Sequence, residues 1–252
     1  MSSKPRYDCI GDGYAKTRRE DPRLREQIFA ALDDALNVVN VGAGTGSYEP
    51  RDRHVIAIEP SDVMAAQRPP ELAPAIRAMA QCLPLRDRSV DAAMAVLSVH
   101  HWDDGQEQGV REMRRVASGP VVIVTVDHEV SGRMWLMADY MPEVAALDRR
   151  IFPPMEKLAA WLGGQTQVSV LPISRHSIDW SLVSFWAHPE RVLNADARQA
   201  TSGFSRMEPA VIERVVASVR RDLADGTWDA RHGHLRQLED YDAGLRLVVN
   251  RP

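Results

Sequence analysis

Short apolar runs alternate with stretches of helical periodicity along the first half of the chain. The run at 121–126 is β-branched at every position, which favours a parallel strand covered on both faces. Strands are predicted at 38–41, 54–58, 75–79, 90–97 and 121–126, and helices at 21–36, 61–67 and 106–116. This alternation predicts an open, doubly wound α/β sheet.

The pattern is less regular beyond Asp127. Helical spacing is found at 134–140, 155–162, 180–187 and 209–223, and extended segments at 167–170 and 244–249. We therefore expect three parts. Residues 1–128 form an α/β core with an N-terminal lid segment, 129–206 form a substrate-facing cap or insertion, and 207–252 add a helix and a strand that complete the sheet.

Composition narrows the classes of partner. The formal net charge of −4, from interspersed charges of both signs, provides no polycationic face for nucleic acid. The two cysteines, Cys9 and Cys82, stand alone, so they indicate neither a disulfide framework nor a metal motif. The N-terminus lacks the apolar stretch of a signal peptide, and no apolar run is long enough to span a bilayer. A cytoplasmic protein without a membrane partner is expected.

A glycine-rich turn follows the first predicted strand, with the sequence Gly42-Ala43-Gly44-Thr45-Gly46. Glycine lets the backbone turn sharply there and approach a ligand closely. Glu59 ends the next strand, where a carboxylate can accept hydrogen bonds from both hydroxyls of a ribose. A dinucleotide site is the competing interpretation, but its G-x-G-x-x-G spacing requires glycine where this chain has Ser47.

The chain resembles the class I S-adenosylmethionine (SAM)-dependent methyltransferases over about residues 5 to 128. Within that class it is similar to the small-molecule group of ubiquinone and menaquinone biosynthesis C-methyltransferases. The segments that carry the resemblance are the glycine turn with Glu59, then Ala80-Gln81-Cys82-Leu83-Pro84-Leu85, Ser89-Val90-Asp91-Ala92, Leu97-Ser98-Val99-His100-His101-Trp102 and Arg111-Glu112-Met113-Arg114-Arg115-Val116.

The resemblance implies a mostly parallel, seven-stranded, Rossmann-like sheet and binding of SAM, with S-adenosylhomocysteine (SAH) as product. It implies a cofactor site formed by Tyr14, Arg18, Gly42, Ala43, Gly44, Gly46, Glu59, Pro60, Met64, Ala80, Gln81 and Leu97. Tyr7, Tyr14 and Arg18 would fold over the cofactor as a lid, or form an exposed arm. Met79 stands where the family commonly has a carboxylate, so no side chain is assigned to the adenine amino group, and the backbone groups of Ala80 and Gln81 would serve instead. Met64 would pack on the adenine ring or belong to the core.

A catalytic base is optional for methyl transfer, and three candidates reach the carboxyl edge of the sheet. His100 and His101 follow the fourth predicted strand and Asp127 the fifth; the histidines would equally shape the loop or the pocket. No metal site is predicted, because adjacent histidines on an extended segment point to opposite sides. The cap supplies residues for an acceptor pocket or a core: Trp135, Met137, Tyr140, Met141, Phe152, Trp180, Phe185 and Trp186.

The sequence thus predicts a methyltransferase that acts on a small molecule, with O, N or C as the methylated atom and an undetermined oligomeric state. The alternative is a protein of the same fold that binds SAM or SAH in a regulatory or otherwise non-methylating role. A protein or nucleic acid substrate is disfavoured because the segment Leu97-Ser98-Val99-His100 lacks the motif typical of base amino-group methylation.

Overall fold

The computed structural model describes residues 19–252 as a central sheet with helices on both faces. The main sheet has six strands in the order β2-β1-β3-β4-β8-β5. Its strands are β1 (Asn37–Val41), β2 (His54–Ile58), β3 (Ala92–Val96), β4 (Val121–Val126), β5 (Gln165–Val170) and β8 (Leu245–Arg251), and β6 (Ile173–Ser174) pairs with β7 (Asp240–Tyr241) outside it.

The helices alternate with these strands in the first half and cluster in the second. They are α1 (Pro22–Ala31), α2 (Asp62–Ala66), α3 (Gln106–Val116), α4 (His128–Ser131), α5 (Pro142–Ile151), α6 (Met155–Leu162), α7 (Ala195–Gln199), α8 (Ser202–Ser205), α9 (Pro209–Ala224) and α10 (Thr227–His232). A π-helical segment spans Leu136–Tyr140, and 3₁₀ turns span Val99–His101, Asp103–Gly105, Leu182–Phe185, Pro189–Leu193 and Gly233–Gln237.

Four parallel strands, β2, β1, β3 and β4, carry the glycine turn and the acidic residue that follows β2. β8 runs antiparallel to β4, and β5 antiparallel to β8, so the sheet is mixed. The third predicted strand, at 75–79, would have made the sheet seven-stranded, and this prediction is wrong: only Ile76 bridges to Ile58. Ile76 and Met79 are about half exposed, so this segment buries too little apolar surface to extend the pairing.

Helix α1 begins as the sequence predicts and ends earlier. The side chain of Asp21 accepts a hydrogen bond from the Arg23 amide at 3.0 Å, and Pro22 occupies the first helical position. Asp33 adopts a left-handed backbone with φ of 49°, which stops the helix short of the predicted end at Leu36.

Each side chain of β4 is buried, and alternate side chains enter different cores. Val122 and Val124 pack in the core that includes α1 and the C-terminal helices. Val121 and Ile123 pack in the core that includes α3 and α6. The run, which is apolar except for Thr125, is thus covered on both faces, as its β-branched composition predicts.

The segment 129–206, expected to form a cap or insertion, contributes to the main sheet and to its cores. Its strand β5 is an edge strand of the main sheet, and Leu158 and Leu162 of its helix α6 pack in the core that holds α3. Its large side chains mainly form core as well: Trp135, Met137, Tyr140, Met141, Phe152, Phe185 and Trp186 are buried, and Trp180 is half-buried.

Across residues 19–252 no helix combines the length and apolarity needed to cross a bilayer.

The start of β1 is held by one carboxylate, and this generates a stability prediction. Asp91 Oδ2 accepts hydrogen bonds from the Asn37 amide, the Leu36 amide and the Asn37 side chain. The bonds from Asn37 and Leu36 hold the pKa of Asp91 below its ordinary value. Because the folded-state pKa is lowered, the stabilisation is present above the unfolded-state pKa and is lost as the pH falls through the folded-state value.

We expect Asp91→Asn to lower the free energy of unfolding by about 1 kcal/mol at pH 7, a figure reduced for solvent exposure. The deficit relative to the unmodified protein narrows as the pH falls below about 4. Urea unfolding at pH 7 and below about pH 4 measures this deficit in the free energy of unfolding. Asp52→Asn, at an exposed position before β2, is the control. A deficit that persists unchanged at low pH contradicts the assigned role.

Candidate functional site

The glycine turn is anchored to β2 through its backbone. The amides of Gly42 and Ala43 both donate to the Ile58 carbonyl at 2.9 Å, and the Gly46 amide donates to the Ala43 carbonyl at 2.9 Å. Gly42, Gly44 and Gly46 have φ of 73°, 53° and 94°, conformations that other residues adopt at a cost. The turn that the sequence predicts therefore forms, and it needs glycine for its backbone shape.

Neighbouring side chains also exclude a Cβ from two of these positions. At Gly42 it would lie 2.5 Å from Ser98 Cβ, and at Gly46 it would overlap Leu72 Cδ1. Ser98 is itself fixed, because its hydroxyl donates to the Val41 carbonyl at 2.8 Å. The turn thus packs closely against the segments that follow β3 and α2.

Glu59 lies at the end of β2 and is bound directly to the glycine turn. Its Oε2 accepts from the Gly44 amide and its Oε1 from the Ser61 amide, both at 2.8 Å. Ser61 caps α2, and Pro60 joins it to Glu59. Since a carboxylate offers about four lone-pair sites, acceptor positions remain for the hydroxyls of a ribose.

Burial sets the electrostatics of Glu59. Only 6% of the residue is exposed, and this burial raises the pKa of its carboxyl, while the bonds from Ser61 and Gly44 and the positive charge of Arg68 lower it. A carboxyl that binds hydroxyl donors must be ionised to supply all its acceptor sites. Cofactor binding that depends on this group should therefore weaken as the pH falls through the raised pKa.

The remaining predicted cofactor residues lie on segments that border the turn and Glu59. Met64 is buried, and its Cε is 3.3 Å from the position of a Cβ on Gly44. The Glu59 amide donates to the Ile76 carbonyl, which brings the chain leading to Ala80 and Gln81 beside β2. Ala80 is buried, and Gln81 Nε2 donates to the Trp102 carbonyl at 3.0 Å.

The loop after β3 differs from the extended segment that the sequence predicts. Leu97 has a positive φ of 50°, and the histidines lie in the 3₁₀ turn Val99–His101. This turn brings the His100 and His101 rings to 3.8 Å between centroids, so they do not point to opposite sides. His100 is buried and stacks on Phe152 at 4.3 Å.

His101 and Asp127, two of the predicted base candidates, already take part in hydrogen bonds. His101 Nδ1 lies 2.9 Å from Arg206 Nη2. Because a guanidinium only donates, Nδ1 accepts, and the proton of a neutral ring is on Nε2. Asp127 caps α4 through the Glu129 amide at 3.1 Å and pairs with Arg246 at 3.3 Å. The predicted residues Tyr7, Tyr14 and Arg18 lie outside the described residues.

A buried ion pair beside the turn is missing from the sequence prediction. Arg68 Nη2 lies 2.8 Å from Glu49 Oε2, and the two side chains are 3% and 1% exposed. Asn40 Nδ2 donates to Glu49 Oε1 at 3.0 Å. The polar Asn40 inside an otherwise apolar strand is the signal that could have revealed this network, although nothing in the sequence pairs it with Arg68.

A pocket lies next to the carboxyl ends of β3 and β4, on the α1 side of the sheet. Its lining is mainly apolar and consists of Leu24, Ile28, Tyr48, Val96, Leu97, Val124, Ile173, Ser177, Asp179, Ser181 and Leu245. Tyr48 connects it to the glycine turn. Leu97 connects it to the loop of the two histidines.

Comparison with known proteins assigns this arrangement to a class. A family model described as a methyltransferase domain matches residues 39–123, which span the glycine turn, Glu59 and the first half of β4. The fold, the turn and this match are similar to those of class I methyltransferases. The predictions of an enzyme that transfers methyl groups, and of SAM as the donor, are thereby confirmed.

Solved structures agree with this assignment. An Anabaena variabilis protein, described provisionally as a methyltransferase from an antibiotic biosynthesis pathway, is 28% identical with a TM-score of 0.85, over 93% of this chain and 98% of that chain. The fold is shared with phosphoethanolamine N-methyltransferase 2 of Haemonchus contortus in complex with SAM (11% identity, TM-score 0.58, 99% of this chain, 60% of that chain). It is also shared with the [4+2]-cyclase SpnF (16%, 0.54, 97% and 93%). A search of curated proteins found no match.

The geometry of the turn predicts that a β-branched side chain at Gly44 blocks cofactor binding. A valine there would be strained at φ of 53° and would press on Met64 Cε, so the turn must move. We expect Gly44→Val to raise the Kd for SAH, measured by calorimetry, at least about tenfold.

The control is Gly226→Val, which has a comparable φ of 80° and no atom within 4 Å of the added Cβ. It should lower the melting temperature through backbone strain and leave the Kd unchanged. Equal SAH affinity in the two variants would show that the turn does not contact the cofactor.

Proposed function

We propose that the protein transfers the methyl group of SAM to a small-molecule acceptor, with Glu59 binding the ribose. The observation that carries the proposal is the double anchoring of Glu59 to Gly44 and Ser61. It places an acceptor-only group between the glycine turn and α2. A ribose suits such a group because its hydroxyls are adjacent donors.

The rest of the cofactor site follows from the segments around Glu59. Gly42, Ala43, Gly44 and Gly46 face the methionyl part, and Pro60, Met64, Ala80, Gln81 and Leu97 border the nucleoside. Met64 is buried, and its Cε is 3.3 Å from the position of a Cβ on Gly44, which supports a role beneath the cofactor. Tyr14 and Arg18 are proposed as the lid, with the Arg18 guanidinium pairing with the cofactor carboxylate.

The acceptor is proposed to bind at the pocket beside β3 and β4. Its mainly apolar lining suits a small, mainly apolar molecule better than a nucleic acid. The net charge of −4 supports the same choice. Among small-molecule enzymes, the resemblance to ubiquinone and menaquinone C-methyltransferases and the likeness to a protein of antibiotic biosynthesis both favour a biosynthetic acceptor. The lone, exposed Cys82 suits a reducing compartment such as the cytoplasm.

The chemistry is an in-line displacement on the methyl carbon. The bond from sulfur to methyl breaks, a bond from the acceptor atom to methyl forms, and the positive sulfonium becomes a neutral thioether. The protein contributes chiefly by holding the two reactants in line, an effect worth up to about 7 to 11 kcal/mol. An acceptor atom that carries a proton releases it during or after the transfer.

His100, His101 and Asp127 remain the candidates for receiving that proton, but their contacts favour other roles. His101 accepts from Arg206 through Nδ1, His100 stacks on Phe152, and Asp127 is a helix cap paired with Arg246. We propose that the histidines shape the acceptor side of the site and that Asp127 fixes the chain after β4. Proximity then provides most of the rate.

A second function is a SAM- or SAH-binding role without methyl transfer. The likeness in fold to a [4+2]-cyclase favours keeping this alternative, because a fold does not fix its chemistry. Consumption of SAM with any acceptor separates the two functions.

The test of the proposed site is calorimetric titration with SAM and SAH, with NADH as the comparison ligand. We expect micromolar binding of both sulfur ligands and none of NADH. Glu59→Ala should weaken SAH binding by about 1 to 3 kcal/mol, because hydrogen bonds to a charged acceptor are lost, which is about 5- to 150-fold in Kd. The affinity of the unmodified protein should fall as the pH drops through the raised pKa of Glu59.

Glu71→Ala serves as the control, since Glu71 is an exposed carboxylate paired with Arg51 on the surface. Binding of NADH alone, or an unchanged Kd in Glu59→Ala, would remove the ribose assignment.

The role of the base candidates is tested with an acceptor found by screening for SAM consumption. We expect His101→Gln and Asp127→Asn to lower kcat by less than about tenfold, whereas loss of an essential general base costs about 10² to 10⁴. His54→Gln, at the exposed start of β2, is the control. A loss above a hundredfold, with the acid limb of the pH–kcat profile abolished, would identify the substituted group as the base.

A further inference from the structure

We propose that Arg68 and Glu49 form a buried latch that holds the glycine turn in the shape required for cofactor binding, so that both act as positioning residues. The proposal rests on the proposed function, in that the turn binds SAM. It concerns residues that neither the sequence pattern nor the resemblance singles out.

All five N–H groups of the Arg68 guanidinium donate hydrogen bonds within the latch. Its Nη1 and Nη2 donate to Glu49 Oε1 and Oε2 at 3.1 and 2.8 Å, a parallel two-bond pairing. Nε and Nη2 also donate to the Ala73 carbonyl at 3.1 and 2.9 Å, and Nη1 to the Gly44 carbonyl at 3.4 Å. Five bonds match the five N–H groups of the side chain, so the group is satisfied without water.

These bonds connect three stretches of the chain around the glycine turn. Gly44 belongs to the turn after β1, Glu49 follows that turn, and Arg68 follows α2. Asn40 Nδ2 adds a bond from inside β1 to Glu49 at 3.0 Å. The position of α2 relative to the turn is thus set by a buried charge pair rather than by apolar packing alone.

The peptide groups of Gly44 link the latch to the ribose-binding carboxylate. The Gly44 amide donates to Glu59 at 2.8 Å, and the Gly44 carbonyl accepts from Arg68. A displacement of Arg68 releases the carbonyl and changes the orientation of the amide on Glu59. The positive charge of Arg68 also favours the ionised form of Glu59, in opposition to burial.

A lysine cannot replace this arrangement. Its ammonium is a compact charge with three donors and no planar fork, so it cannot contact both Glu49 oxygens, Ala73 and Gly44 together. A purely structural ion pair would affect global stability alone. A latch affects the local opening of the turn and the affinity for cofactor.

The experiment measures amide hydrogen exchange and SAH affinity in the full-length protein. Exchange is followed without ligand in peptides covering residues 42–47, and the Kd for SAH is measured by calorimetry at a temperature where each variant is fully folded. In Arg68→Met we expect exchange at 42–47 and the Kd each to rise at least about tenfold. Arg68→Lys should recover less than half of either change on a logarithmic scale.

The matched control is Asp222→Asn, which disturbs another buried carboxylate, bound to the Tyr140 hydroxyl at 2.9 Å in the layer of α9. It should lower the melting temperature and leave both readouts at 42–47 unchanged. If Arg68→Met does not fold, Glu49→Gln/Arg68→Met carries the test, because removal of both charges leaves no unpaired buried ion. The same rises are expected in that double variant.

Exchange and Kd within twofold of the unmodified protein in a folded latch variant would overturn the proposal. The exchange measurement needs no ligand, so it decides the latch even if the unmodified protein fails to bind SAH. That failure would count against the proposed function and would leave the exchange result standing.

Discussion

The hydrogen bond from the Gly44 amide to the Glu59 carboxylate joins the ends of two adjacent parallel strands. It depends on the register of β1 and β2, because that register places the glycine turn opposite the residue that follows Ile58. It depends equally on the left-handed backbone of Gly44, which turns the amide toward β2. A one-residue slip of either strand would reverse the facing of every side chain and separate the two groups.

This hydrogen bond requires the charged carboxylate of Glu59 to be buried, away from solvent. Burial favours the protonated form of Glu59, and the protein opposes this with two backbone amides and the nearby guanidinium of Arg68. Arg68 is in turn neutralised by Glu49, which receives a further bond from Asn40. A network of buried polar groups behind the turn therefore supports the site. No apolar residue could replace a member of this network, because the neighbouring groups would lose their hydrogen-bond partner.

The regular part of the fold could be predicted because local patterns determine it. The limits of β2, α3, β4 and α6 match the sequence prediction, since each has either a mainly apolar run or a clear helical face with stop signals. The prediction of a strand at 75–79 was wrong because the apolar content of a segment does not show whether a neighbouring strand and covering helices exist. The place of β5 in the main sheet could not be predicted for a similar reason: β5 pairs with β8, about eighty residues away, and no local pattern contains that pairing.

The residues of the candidate site likewise fall into those that a local pattern predicts and those that depend on contacts between distant segments. Glycines in a tight turn and an acidic residue at a strand end are determined by spacing, so they could be identified before the structure. The Glu49–Arg68 pair depends on two segments meeting in space, and its residue types are indistinguishable in the sequence from solvated surface charges. The histidines illustrate the remaining difficulty, because their position after β3 was predictable while their backbone was not. The 3₁₀ turn and the contact with Arg206 decide what their nitrogens can do.

These contacts bear on how the fold divides the work of catalysis. The groups at the carboxyl edge that could move protons are mostly engaged in holding the chain: Asp127 caps α4 and pairs with Arg246, and His101 accepts from Arg206. The groups behind the edge, from Gly44 to Arg68, are engaged in fixing the turn. A sulfonium donor already carries its activation, so an enzyme that uses it gains more from alignment than from proton transfer. An enzyme that gains mainly from alignment requires its buried polar hydrogen bonds to be concentrated around the turn rather than around the histidines.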